Sequence, residues 1–139
     1  MIAELGLVFL VFSMIFSFFQ LFQPLSQNIF NYKFFDDLDI YMKLANTTFF
    51  VTLLSFLCLT YSFIVSDFSL LITSQNSNSE LPLLYKITGV WGNHEGSILL
   101  WLLIMTFFGF LFSKHNINDF NLKNNTLVIH GGLCFLIGI

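Results

Sequence analysis

Long apolar runs decide what this chain can become. Residues 5–22 are broken only by Gly6, Ser13, Ser17 and Gln20, and residues 44–65 carry little more polar than Asn46 and some hydroxyls. Each is long enough to cross the ~30 Å hydrocarbon layer as a helix. Residues 89–112 make a third span if their polar beginning sits at the interface, whereas residues 127–139 fall short of the roughly 20 that a span needs. With 56% hydrophobic residues, 20 Phe and only 5 basic and 8 acidic side chains in 139 residues, a soluble core of this size could not hide the apolar surface. The expected fold is an all-α membrane protein forming a single membrane domain. Its spans are expected at about residues 2–23, 44–66 and 89–113, with a truncated, partial fourth helix at 126–139.

The first run lacks a basic flank, exceeds the length of a secretory h-region and precedes more membrane, so it is not read as a signal peptide. The absence of arginine suggests AT-rich coding, as in many organelle genomes. The small, scattered net charge of -3 offers no basic patch for nucleic acid. Lysines set the expected orientation, because short basic loops stay on the side of synthesis. Lys33 and Lys43 lie between spans one and two, Lys114 and Lys123 follow span three, and only Lys86 lies in residues 67–88. The amino terminus is therefore expected outside, with inner loops at 24–43 and 114–125 and an outer loop at 67–88, before helix 3. In the first inner loop, Phe30, Phe34, Phe35 and Tyr41 suit an aromatic belt, and a short interfacial helix is an option there.

The stretch "TGVWGNHEGSILLW" (88–101) spends rare residue types at the mouth of the third run. Projected as a helix at ~100° per residue, Gly89, Gly92 and Gly96 fall together as a close-packing face. His94 and Trp101 fall about 20° apart on the opposite side, with Ile98 nearby. That side suits a flat aromatic ligand; alternatively His94 and Glu95 only make hydrogen bonds at a helix start. In "HEGSI", Ile98 stands where a zinc-protease helix needs its second His, so no metal site is expected. Ser97 lacks a G-x-S-x-G elbow. Cys58 and Cys134 stand alone in apolar runs and read as packed thiols. His115 reads as solvated.

"SDFS" (66–69) and "QNSNSELPLLYKITGVWGNHEGSILLWLLI" (75–104), with two spans before them, resemble the amino-terminal part of CcmF-type haem lyases of the cytochrome c maturation system. The resemblance covers nearly four fifths of the chain. It implies a split lyase fragment helping to position haem for covalent attachment to apocytochrome c, with Trp91, Gly92, Asn93, His94, Glu95, Gly96, Ser97 and Trp101 bordering the haem-handling surface. No catalytic residue is assigned, and the fragment is not expected to be catalytic alone. The family carries a tryptophan-rich outer platform, but Trp91 and Trp101 are the only 2 tryptophans here, so haem is expected to be held mainly by other chains or fragments. "LVIHGGL" (127–133) resembles a family segment in which a haem-ligating His precedes Pro-Pro. Here Gly131 and Gly132 follow His130, and the expected topology puts His130 near the inner face, so the role is not carried over.

The implied partners are the remaining lyase fragments, apocytochrome c, a haem chaperone and membrane lipid, without nucleic acid. The implied location is the mitochondrial inner membrane, or alternatively a bacterial cytoplasmic membrane, with "WGNHEGS" facing the intermembrane space or periplasm. The rival reading is a structural subunit of a larger respiratory membrane complex, with no haem chemistry of its own.

Overall fold

The computed structural model describes residues 2–30, 38–115 and 120–138. Helices follow in the order α1 (Ile2–Phe30), α2 (Leu38–Val65), α3 (Leu71–Asn76), α4 (Leu83–Gly89), α5 (His94–Lys114) and α6 (Phe120–Gly138). Among the described residues no strand occurs. Ile2–Phe22, Asp39–Val65 and His94–Lys114 are long and apolar enough to cross a membrane, and Asn125–Gly138 is a shorter apolar helix.

The long helices pack antiparallel. Ser55 Oγ near the end of α2 donates to the Gly6 carbonyl at the start of α1 at 2.8 Å. Ser113 Oγ at the end of α5 donates to Asn46 Oδ1 at the start of α2 at 2.7 Å. Gln20 Nε2 on α1 donates to the Leu127 carbonyl of α6 at 2.7 Å. α2 packs against both α1 and α5, and α6 closes the bundle by packing on α1 and α5 and touching α2.

Polarity runs opposite to that of a soluble bundle. Ser13, Ser17, Gln20, Thr48, Thr52, Ser55, Thr106 and Ser113 are buried, while Leu7, Phe19, Phe50, Leu57 and Phe108 are exposed. Lipid removes the reason to bury large apolar side chains, so small groups go inward where backbones approach closely. Other inward hydroxyls are satisfied within their own helix: Thr48 Oγ1 donates to the Leu44 carbonyl and Thr52 Oγ1 to the Thr48 carbonyl, both at 2.8 Å. Cys134 is buried and Cys58 half-buried.

Several sequence-derived bounds are corrected. Residues 24–30 extend α1 and residues 38–43 begin α2, so much of the expected first inner loop is helical. Residues 31–37, which hold Lys33, Phe34, Phe35 and the site of the suggested interfacial helix, lie outside the described residues. The expected outer loop contains α3 and α4, and the third long helix starts at His94 and not Gly89; α6 begins at Phe120, and its apolar part, Asn125–Gly138, coincides with the expected partial span.

Candidate functional site

The segment joining α2 to α5 forms a cap over one end of the bundle. α2 stops because Ser66 turns left-handed, with φ 58°. Ser66 N then donates to the Phe63 carbonyl at 3.1 Å and Asp67 N to the Ser62 carbonyl at 2.9 Å, the paired bonds of a Schellman stop with serine in the place glycine usually takes. Lys86 Nζ on α4 donates to Ser66 Oγ at 2.6 Å and ties the unusual residue to the cap. Asp67 Oδ1 accepts from Ser69 Oγ at 2.6 Å and Ser69 N at 3.2 Å. Those two bonds, the side-chain one first, hold the Asp67 carboxyl below its ordinary value.

α4 leads into a turn that buries Val90 and packs Gly89 beside the buried Phe63 ring. Asn93 then organises the start of α5. Its Oδ1 accepts from Gly96 N at 2.7 Å, as a helix cap should. Its Nδ2 donates backwards to the carbonyls of Gly89 at 2.9 Å and Val90 at 3.1 Å. One buried amide therefore fastens α4, the turn and α5 together. Gly96 lies so close that a Cβ there would fall on the Val90 carbonyl oxygen. Ser97 Oγ donates to the His94 carbonyl at 2.8 Å.

The three glycines consequently do not share one helix face. Gly89 ends α4, Gly92 lies in the turn with its N donating to Thr88 O at 3.2 Å, and Gly96 is in the first turn of α5. The projection ran a single helix through a position where Asn93 starts a new one.

What remains of the motif points outward. His94 and Glu95 are exposed, as are Trp91 (41%), Ile98 (40%) and Trp101 (64%). The motif thus divides into an internal clasp, Asn93 with Gly96, and an outward set containing both tryptophans and His94. The three histidines do not converge. His115 is the exposed cap residue at the far end of α5. His130 lies between helices, its Nε2 2.7 Å from the Met105 carbonyl oxygen, with its ring against Gly109 and Cys134 Sγ 3.6 Å from Nε2. With its ring packed in this way, His130 has no room for a flat macrocycle. His94, His115 and His130 do not form a pair of axial ligands. Among the described residues no cluster of three metal-ligating side chains occurs.

Sequence reasoning missed Ser66, Asp67 and Lys86 as cap-forming residues. The Asp-x-Ser turn within "SDFS" was a readable local signal; the Lys86 contact across twenty residues was not.

A helical bundle with a hydroxyl-lined interior, an apolar exterior and three helices long and apolar enough to cross a membrane defines a polytopic, all-α membrane protein. No protein-family model matches the chain. It is 59% identical over 56 residues to the cytochrome c-type biogenesis protein ccl1 of Rhodobacter capsulatus, a match covering 40% of this chain and 9% of that protein. It is 48% identical over 86 residues to the cytochrome c-type biogenesis protein CycK of Rhizobium meliloti, covering 61% of this chain and 13% of the other. A solved structure of the cytochrome c haem lyase CcmF overlays 99% of this chain at a TM-score of 0.85 and 26% identity, using 23% of its own length. The chain is thus similar, over part of their length, to the CcmF-type cytochrome c biogenesis proteins. It spans about a tenth of the length of these curated relatives, with 9% and 13% covered.

Proposed function

We propose that this chain is the amino-terminal membrane fragment of a split CcmF-like haem lyase, and that it helps to position haem for covalent attachment to apocytochrome c. The observation that carries the reading is the overlay of 99% of the chain on part of the CcmF haem lyase, with Trp91, His94 and Trp101 left exposed. The work of such a fragment is orientation, for which a rigid support matters more than a strong acid or base. Asn93 and Gly96 supply the rigidity. The exposed His94 and the tryptophans border haem that is held mainly by other chains.

The partners in this reading are the remaining lyase fragments, a haem chaperone and apocytochrome c. The membrane is the mitochondrial inner membrane, or a bacterial cytoplasmic membrane, and the α3–α4 end faces the intermembrane space or periplasm. A structural role inside a respiratory complex is the second reading, favoured by the part that Asn93 and Gly96 play as an internal clasp.

His94→Ala distinguishes the two, because it removes an exposed side chain. Under the lyase reading, haem-stained cytochrome c falls while the amount of assembled complex stays. Equal loss of both, or loss of neither, overturns a haem-handling role for His94.

A further inference from the structure

α6 fills only part of the groove between α1 and α5. At its described end, a Cβ on Gly138 would come within 2.9 Å of Met14 Cγ, and one turn earlier the Phe135 ring lies 5.3 Å from that of Phe18. On the other wall, His130 reaches Met105 and Gly109 of α5. On the floor, Leu127 is buried with Tyr41 and Ala45 of α2.

Beyond Met14, towards the α3–α4 cap, the same groove continues as an open cleft of ≈ 360 Å³ lined by Leu7 and Leu10 of α1, Leu59 of α2, and Glu95 and Leu99 of α5. These residues continue the stripes on which α6 sits. Leu7 and Leu10 precede Met14, Phe18 and Leu21 at helical spacing of three and four; Leu59 follows Ala45, Thr48, Thr52 and Ser55; Leu99 precedes Leu102, Thr106 and Gly109. A groove whose three walls keep one register along their length is shaped for one continuous helix.

We infer that this cleft seats an apolar helical segment collinear with α6, about ten residues long at ~1.5 Å per residue, supplied by lyase polypeptide outside these 139 residues. The inference rests on the lyase reading and names one of its contacts: the solved CcmF chain matched here extends well beyond the 23% that this chain covers. Contiguous helix packing in this seat would withdraw Leu7, Leu10 and Leu99 from lipid. The carboxylate of Glu95 at the mouth complements a basic residue at the end of the segment, as the negative end of a helix dipole also does.

The test is a photo-crosslinking amino acid, p-benzoylphenylalanine, placed at Leu7 or at Leu99 in cells that make the whole complex, with Phe12 as the exposed control. Leu7 and Leu99 are expected to give the same protein adduct, at least fivefold above Phe12, mapping to an apolar span of haem-lyase sequence. Lipid adducts at the level of Phe12, in a complex that still contains lyase polypeptides, would overturn this inference and leave the proposed function standing. An adduct with a respiratory subunit, in a complex without lyase polypeptides, would overturn both. If the bulky probe prevents accumulation, Ala3, which also lines the cleft, gives a second readout as Ala3→Cys in a Cys58→Ser, Cys134→Ser background. Its reaction with a membrane-permeant maleimide is expected to be at least fivefold slower in the assembled complex than in the chain released by detergent, and equal rates would overturn the inference.

Discussion

The imidazole of His130 on α6 lies flat against the backbone of Gly109 on α5, with its Nε2 2.7 Å from the carbonyl oxygen of Met105. A carbonyl only accepts, so Nε2 is the donor in this contact. Gly109 is what makes the bond possible, since a Cβ at that position would fall on the ring.

Gly109→Ala should therefore destabilise the bundle by about 1–3 kcal/mol, the usual cost of forcing atoms into a filled site. His130→Ala alone should cost less, because polar contacts between membrane helices average only about 0.6 kcal/mol. In the double variant the added methyl meets no ring, so the two losses should not add. Thermal unfolding of the detergent-extracted complex measures all three, and additive losses would remove the direct contact from the explanation.

At the other end of α5, Asn93→Ala removes a cap and two backward bonds, and about 1–2 kcal/mol of local stability is expected to go with them. Gly96→Ala meets the Val90 carbonyl directly, so assembly should fall with it under any functional reading. His94→Ala should leave assembly intact, since its side chain is exposed. Quantifying the complex by native electrophoresis separates clasp from outward face; equal loss in all three would undo that division.

How far these features could be read from sequence depended on their range. The membrane character and long helices follow from uninterrupted runs, and the spacing of Gly6, Ser13, Ser17 and Gln20 marks the inward face of α1. The third helix was started too early because the ~100° projection was run through Asn93. An Asn with an acidic residue two positions later is itself a start signal, and it outweighs apolar periodicity carried from upstream. By contrast, the fit of His130 against Gly109 and the reach of Lys86 to Ser66 depend on how separate helices dock. Nothing in local spacing encodes either contact.

The Asp67 turn should respond to acid in a definite direction. Bonds from Ser69 favour the charged carboxylate and hold its folded pKa below the ordinary value. Its support for the turn is therefore complete above the ordinary carboxylate range and is lost as pH falls through the depressed value. Amide exchange at Ser69 should speed up relative to neighbouring amides over that acidic interval. In Asp67→Asn this acid-dependent step should disappear, and its persistence would assign the step to another group.

Orientation yields the last prediction. Ser77 lies in the polar segment before α4, but its Oγ is buried, so a thiol there would react poorly on either side of the membrane. Ser79, two residues on, is exposed. At the opposite end of α5, His115 is exposed and caps the helix. In a Cys58→Ser, Cys134→Ser background, Ser79→Cys should react with an impermeant maleimide added to sealed membranes from the outer side. His115→Cys should react only after the membranes are opened. The lysine distribution predicts that order, because Lys43, Lys114 and Lys123 lie at the His115 end while Lys86 lies in the cap. Reversed labelling would place Trp91, His94 and Trp101 on the side of synthesis, away from the surface where cytochrome c receives haem in the proposed reading, and would remove the basis for a haem-facing role of this motif.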